Sequence, residues 1–184
     1  MAIEEAVYQV VKKEGPFELR DYAPHIVAET VVDGELEEAG NMAFRRLFGY
    51  ISGDNKAQTE IAMTAPVSQR SSEKIAMTAP VGQQKSGDQW VVSFMMPASY
   101  RMETLPIPVD PQVRLRQVPA RRMAAVRYSG FWSEKNYQKN QLKLDSWMQK
   151  ERLQVRGEAI WARYNSPFSL WFLRRNEILV PVSK

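Results

Sequence analysis

Residues 17–51 read FELRDYAPHIVAETVVDGELEEAGNMAFRRLFGYI, and two hydrophobic periods meet in this stretch. Residues 17–22 alternate apolar and polar side chains, which is the period of a half-buried strand. After Ala23-Pro24, the β-branched run 25–32 continues as a second strand, and Asp33-Gly34 ends it. From about Glu35 to Ile51 the apolar residues recur at helical spacing. The stretch therefore predicts two strands followed by a helix.

The same plan recurs in the second part of the chain. Gly130 follows Gly34 by 96 residues, and in each half a strand, a proline break and a second strand lead to that glycine. A second helix is predicted over about 134–151, followed by strands at 160–164 and 177–182. The sequence thus predicts an α+β protein of two β-β-α-β-β repeats related by a pseudo-two-fold. Together the repeats would form a distorted antiparallel β-barrel or sheet with two flanking helices.

A direct repeat and a proline-rich connector mark the organisation of the chain. The segment IAMTAPV occupies residues 61–67 and again residues 75–81, which suggests two similar strands that each end at a proline. Residues 105–111 form a proline-rich connection between the halves. We expect a single domain over residues 1–184, with internal halves of about 7–104 and 112–182.

The residue types that the chain lacks exclude several kinds of site. It has no cysteine and one histidine, His25, so disulfides, thiolate metal sites and multi-histidine metal centres are excluded. No spacing of a nucleophile and a base supports catalysis, and we expect the protein not to be an enzyme.

Charge and hydropathy limit the partners and the location. The net charge is +4, and residues 112–184 supply the basic excess. These basic residues are scattered along strands and a helix, so they favour solvated faces with a few anion contacts over nucleic-acid binding. The acidic start lacks a secretion signal, and the longest apolar run, 90–98, is too short to span a bilayer. We expect a cytoplasmic protein without a transmembrane segment. The sequence does not identify protein partners.

Several motifs, in order over about residues 7–182, resemble those of the SOUL haem-binding family. They are GPFELRDY (15–22), VAET (27–30), AFRRLFGYISG (43–53), the twin IAMTAPV segments, RYSGF (127–131), YNSP (164–167) and RRNE (174–177). The resemblance implies the same barrel-like fold with two helices. It further implies reversible binding of haem or a related tetrapyrrole, for buffering, transport or signalling. The implied site is a shallow apolar cleft between the first helix and the loop before the last strand.

The first helix offers candidate residues for one wall of this cleft. Met42, Arg46 and Gly49 line up on a flank beside the core stripe, with Arg45 nearby. A methionine and a glycine let a flat ring lie close, and a guanidinium beside them can pair with a propionate. The competing interpretation is ordinary helix surface.

The facing loop offers the other wall and is unusually rich in aromatic residues. Its candidates are Tyr164, Phe168, Leu170, Trp171, Phe172 and Arg174. Core packing would explain the aromatic residues equally well. Arg174 and Arg175 would suit ion pairs with Glu177 as well as contacts with a propionate.

The sequence also bears on the iron. His25 is the only imidazole and hence the nominal ligand by type. In relatives with a proposed iron-ligating histidine, the resemblance places that residue at the position of Asp21. The chain departs from that pattern, so we expect haem to be held without a strong protein ligand, and His25 to be structural or solvent-exposed.

A second interpretation of the function stays open. The doubled β-β-α-β-β plan also resembles the effector-binding domains of bacterial transcription regulators and gyrase-inhibitor-like proteins. Those domains hold amphipathic, often cationic, molecules in a groove between the two halves. In that case buried carboxylates such as Glu29 or Glu60 would matter more than Arg46.

Overall fold

The computed structural model describes residues 3–58, 72–166 and 168–183. Within these residues the helices are α1, Leu36–Ser52, and α2, Glu134–Lys150, so both predicted helices are confirmed to within one residue. Each helix follows a glycine with positive φ, Gly34 at 110° and Gly130 at 120°. Glycine adopts this backbone conformation without the steric cost that a side chain would add.

The described strands combine hairpins with pairs between segments distant in the chain. In chain order they are β1 (Glu4–Glu5), β2 (Tyr8–Glu14), β3 (Phe17–Tyr22), β4 (His25–Val32), β5 (Asn55–Lys56), β6 (Thr78–Ala79), β7 (Val81–Ser86), β8 (Gln89–Met95), β9 (Ile107–Pro108), β10 (Arg114–Val118), β11 (Arg121–Tyr128), β12 (Gln154–Val155), β13 (Ile160–Arg163) and β14 (Asn176–Ser183). The hairpins include β2 with β3 and β7 with β8. The second copy of the direct repeat supplies β6, and the first copy lies outside the described residues.

Among the described strands, ten join in one antiparallel sheet. The order is β10-β4-β8-β7-β13-β14-β11-β3-β2, and β12 pairs onto β14 off this path. In each half, the strand before the proline break lies beside the strand after the break of the other half, because β3 pairs with β11 and β10 pairs with β4. The α+β class with two helices and a curled antiparallel sheet is therefore confirmed. The two-fold relation between the halves stays a prediction.

Strand β7 was missed by the sequence analysis because its sequence, VGQQKS, has few strand-forming residues. Its Gln83 is buried and donates a hydrogen bond from Nε2 to the Leu36 carbonyl at the start of α1 (3.0 Å). Tertiary contacts of this kind replace the local propensity that the segment lacks.

Both helices pack on the same face of the sheet. Gln83 contacts α1, and Trp161, its neighbour across the β7–β13 pair, stacks on Tyr137 of α2. The core under α1 includes Leu47 and Phe94, and the core under α2 includes Leu144 and Ile178. The opposite face carries a smaller cluster and is called here the helix-free face.

Within the described ranges, no helix is both long enough and apolar enough to cross a membrane.

Candidate functional site

One flank of α1 leaves aromatic side chains in solvent. Phe44 and Phe48 are exposed, Phe48 by 48%, and their rings stack with centroids 5.8 Å apart. Phe44 also meets the buried ring of Phe94 edge to face at 5.3 Å. The contact with the core fixes the orientation of Phe44, so the pair presents a preformed apolar surface.

Three of the four predicted residues of α1, Met42, Arg46 and Gly49, lie on the other flank. Met42 is exposed there, but Arg46 donates from Nη1 to Thr30 Oγ1 (2.7 Å), and its Nε lies 3.4 Å from Asp110 Oδ2. A Cβ added at Gly49 would lie 2.6 Å from Asp54 Oδ2. Gly49 thus lies against the carboxylate of Asp54, and Arg46 already has partners.

Arg45 has a different environment from its neighbour. It is exposed on the outer surface of α1, and Phe48 is three residues further along, which places the two side chains side by side. Within the described residues, no hydrogen bond or ion pair involves the Arg45 side chain. Its charge is therefore available beside the Phe44–Phe48 pair.

The loop before β14 is strongly exposed, although its aromatic composition would also have been compatible with burial. Phe168 is 95% exposed, and Leu170, Trp171, Phe172 and Leu173 are also exposed. The Trp171 ring stacks on Phe131 at 4.9 Å and meets Phe172 edge to face at 5.5 Å. Core packing does not account for this loop.

A line of contacts joins this loop to α1. The ring of Trp132 contacts two guanidinium groups, those of Arg174 (4.4 Å to the ring centroid) and Arg163 (4.9 Å). Arg163 donates from Nη2 to Gln83 (3.1 Å) and lies against Gly40, one turn before Phe44. The exposed rings Phe44, Phe48, Phe131, Trp171 and Phe172 are called here the aromatic surface. Sequence reasoning missed Phe48, Phe131, Trp132 and Arg163, although RYSGF was already among the motifs.

Tyr164 belongs to the other face of the sheet. Its hydroxyl donates to Glu177 Oε2 (3.0 Å), and burial is the main cause that raises its pKa. Arg175 donates from Nε to Glu177 Oε1 (3.0 Å), which is the ion pair that the sequence suggested for it. Arg174 instead donates from Nε to the Ser169 carbonyl (2.9 Å) and so holds the loop.

A buried ion pair lies at the centre of the helix-free face. Arg20 and Glu177 are almost completely buried and form two hydrogen bonds, Nη1 to Oε2 (2.6 Å) and Nη2 to Oε1 (3.1 Å). Glu177 therefore has three donors in Arg20, Arg175 and Tyr164. Its charge is compensated inside the protein.

Next to this pair, the helix-free face encloses a cavity of about 80 Å³. Side chains from both ends of the strand path line it, for example Val118 of β10 and Met123 of β11, which shows how far the sheet curls. An adjoining recess of about 370 Å³ shares Ala6, His25 and Met95 with it.

His25 borders this cavity and lies away from the aromatic surface. Its Nδ1–H donates to the Ala23 carbonyl (3.0 Å), and burial is the main cause that lowers the pKa of the imidazole. Asp21, at the position of the relatives' proposed ligand, accepts two hydrogen bonds from Arg122 (2.6 and 2.7 Å). Both side chains thus have partners within the protein.

These features define an α+β half-barrel protein with an aromatic surface on its helix side and a cavity on its helix-free face. The chain belongs to the SOUL heme-binding protein family, whose sequence model matches residues 3–181. It is similar to heme-binding protein 2 of Mus musculus, with 26% identity over 173 residues, covering 89% of this chain and 80% of that protein. The human heme-binding protein 2 is 25% identical with the same coverage.

Solved structures of low sequence identity share the fold. A hydrolase from Listeria innocua superposes with a TM-score of 0.61 at 15% identity, covering 94% of each chain. The C-terminal domain of EcmrR superposes with a TM-score of 0.60 at 12% identity, covering 97% of this chain and 99% of that domain. At this identity the likeness concerns the fold alone.

Proposed function

We propose that this protein binds haem or a related tetrapyrrole reversibly, without catalysis, on the aromatic surface. The observation that carries the proposal is two exposed pairs of stacked rings, Phe44 with Phe48 on α1 and Phe131, just before α2, with Trp171 of the loop before β14. Exposed apolar patches that are held rigid from below are typical of binding sites. Family membership and the names of the curated relatives support haem as the ligand.

A flat macrocycle suits the chemistry of this surface. Phe44 and Phe48 offer one apolar wall, and Trp171 with Phe131 offers another. Covering such rings stabilises a complex by about 25 cal/mol for each Å² of apolar area removed from water. The open surface favours exchange, which suits buffering, transport or signalling.

The charges beside the rings suit the propionates. Arg45 lies next to Phe48 on the outer surface of α1, and the guanidinium of Arg174 lies over Trp132 at the other wall. A guanidinium pairs well with a carboxylate through two hydrogen bonds. We therefore assign the α1 propionate contact to Arg45. Arg46, with Thr30 and Asp110 as partners, is held by the protein itself.

On this proposal the iron contributes little to the affinity, because the side chains of His25 and Asp21 are hydrogen-bonded within the protein. Haemin and metal-free protoporphyrin should then bind with dissociation constants within about tenfold of each other. Absorbance and tryptophan quenching measure both, since Trp171 and Trp132 lie in the site.

The decisive variant is Phe48→Ser, which removes an exposed ring from the proposed site. It should weaken the binding of both porphyrins by about tenfold, the loss expected for part of a phenylalanine burial. Leu142→Ser is the matched control, because Leu142 is an exposed apolar residue on α2 (67% against 48% for Phe48) that lies outside the aromatic surface. The control should bind both porphyrins like the parent protein.

Two results would contradict the proposal. If Phe48→Ser and Leu142→Ser weakened porphyrin binding equally, the aromatic surface would not be the binding site. A preference for haemin of a hundredfold, about 2.7 kcal/mol, would require ligation of the iron.

A second candidate function is the binding of a small molecule on the helix-free face, as in effector-binding domains. The cavity there favours it. At about 80 Å³ the cavity is far below the 300–1,000 Å³ of typical drug-sized ligand pockets, so it does not suit a tetrapyrrole. Saturation with haemin should therefore leave a ligand of this cavity in place, which a competition titration measures.

A further inference from the structure

Arg121 brings a charge into the cavity on the helix-free face. It is partly buried at the start of β11, opposite Tyr22 in the β3–β11 pair. Among the described residues, no carboxylate forms an ion pair with it. Burial, and then the charge of Arg116, lower the pKa of Arg121. A partly desolvated guanidinium without a counter-charge favours an anion beside it.

The carboxylates on this face are already paired. Glu29, which lines the cavity, accepts three hydrogen bonds from Arg116 at 2.8–3.0 Å. Glu177 is bound by Arg20 and Arg175. Glu60, the other carboxylate that the sequence suggested, lies outside the described residues. The charge left over in the described lining is therefore positive.

Neutral groups do not compensate Arg121 either. Burial raises the pKa of Tyr22 to about 12, so its phenol carries no charge near neutrality. His25 also lines the cavity, and its lowered pKa leaves it uncharged near neutrality. The adjoining recess carries Glu4 and Glu103, which favour placing an anionic group at the Arg121 end.

The remainder of the lining is apolar. Val27, Val118, Met95, Met123, Ile160 and Leu179 surround the space between the charged residues. One cationic group at the edge of a small apolar cavity matches a molecule with one anionic group and a compact apolar body.

We propose that this cavity is a second ligand site, which takes a small amphipathic carboxylate and holds its carboxylate on Arg121. The inference rests on the second candidate function and reverses the charge expected from the sequence, which was that of a cationic ligand. It is independent of haem binding on the aromatic surface.

Three probes with the same ring test the ligand class: benzoate, benzyl alcohol and benzylammonium. Their binding to the full chain is followed by chemical-shift changes in ¹⁵N-labelled protein at neutral pH and low salt. Benzoate should bind at least about tenfold more tightly than benzyl alcohol, since a charge-assisted hydrogen bond replaces a neutral one. Benzylammonium should bind more weakly than either.

The residue is tested by Arg121→Gln, with Arg122→Gln as its matched control. Arg122 is the next residue of the same strand, but its side chain pairs with Asp21 outside the cavity. Arg121→Gln should weaken the binding of benzoate by about tenfold and bring its affinity to that of benzyl alcohol. Arg122→Gln should leave the order of the three probes unchanged.

Each alternative outcome overturns the inference in a recognisable way. If none of the probes binds, the second candidate function fails together with the inference. If they bind but benzylammonium is favoured, or if Arg121→Gln binds benzoate like the parent protein, only the inference fails. Unchanged spectra of Arg121→Gln outside β11 show that the variant is folded.

Discussion

Neighbouring arginines on the two faces of this protein meet opposite environments. On α1, Arg46 is tied to Thr30 and Asp110, while Arg45 stands in solvent beside Phe48. On β11, Arg122 is paired with Asp21. Arg121 enters a cavity and forms no ion pair with any described carboxylate. In each pair one arginine supports the fold and the other is available to a ligand. Their order along the chain does not distinguish them.

The helix side and the helix-free face differ in the same way. The helix side exposes rings and is open, whereas the helix-free face buries Arg20 and Glu177 and satisfies both. The exposed rings thus cost the fold little, whereas the charged interior is integral to it. Three measurements test this contrast.

The largest expected effect is that of Glu177→Gln on stability. The change removes the buried carboxylate that Arg20 and Arg175 share and leaves Glu18 as the counter-charge of Arg20, so the free energy of unfolding should fall by about 3 kcal/mol, the lower end for breaking a buried pair. Urea denaturation followed by circular dichroism measures it. Arg122→Gln, which breaks a largely solvated pair, should cost less than about 1 kcal/mol. Equal losses in the two variants would contradict the central role of the buried pair.

A smaller effect is expected when the two arginines of α1 are exchanged for glutamate one at a time. Arg45→Glu should weaken haemin binding several-fold and leave the free energy of unfolding nearly unchanged, because an exposed charge contributes about 1 kcal/mol or less. Arg46→Glu should lower stability by about 1–2 kcal/mol, because it loses the bond to Thr30 and sets a second carboxylate near Asp110. Haemin titration and urea denaturation of both variants separate the two roles.

The esterified porphyrin provides the control for this pair. Without carboxylates, it should bind the parent protein and Arg45→Glu almost equally. If Arg46→Glu weakened the binding of haemin but not of the esterified porphyrin, and Arg45→Glu did not, the propionate contact would lie on the flank of α1 that carries Met42.

The smallest effect concerns the pH dependence of stability. Burial lowers the pKa of His25 in the folded protein, so the unfolded chain binds more protons as the pH falls below about 6.5. The contribution of His25 to stability is thus present above that pH and is lost as the pH decreases toward the folded pKa. The free energy of unfolding should decrease between pH 7 and pH 5, and His25→Gln should flatten that decrease.

The pH window distinguishes His25 from the acidic residues. The hydrogen bonds from Arg122 lower the pKa of Asp21, so its contribution is lost only below about pH 4. Parallel pH profiles of His25→Gln and the parent protein would show that the imidazole is not desolvated on folding.

Much of the fold could be predicted because local patterns and the final structure agree. The alternation in residues 17–22 and the helical spacing after Gly34 gave β3 and α1 nearly to the residue. β7 could not be found this way, since Gln83 becomes a buried strand residue only through its bonds to Leu36 and Arg163. Short pairings such as β5 with β9 likewise depend on distant segments.

The candidate site was predictable in kind but not in detail. The loop aromatics and Arg45 lie where a ligand can reach them, whereas the hydroxyl of Tyr164 turns to Glu177 on the other face. The helical spacing placed Arg46 beside the core but could not show that Thr30 and Asp110 would meet it. The roles of all these residues in ligand binding stay predictions.

Hydrophobic periods and motifs are local properties of the chain, so the family and most of the order of strands and helices could be derived from the sequence alone. Which charged groups are compensated depends on the tertiary fold. Arg20 meets Glu177 across 157 positions, and Arg116 meets Glu29 across 87, so no local pattern records these pairs. Arg121 differs from them for the same reason, because curling of the sheet brings it into a cavity whose described carboxylate, Glu29, is already paired with Arg116.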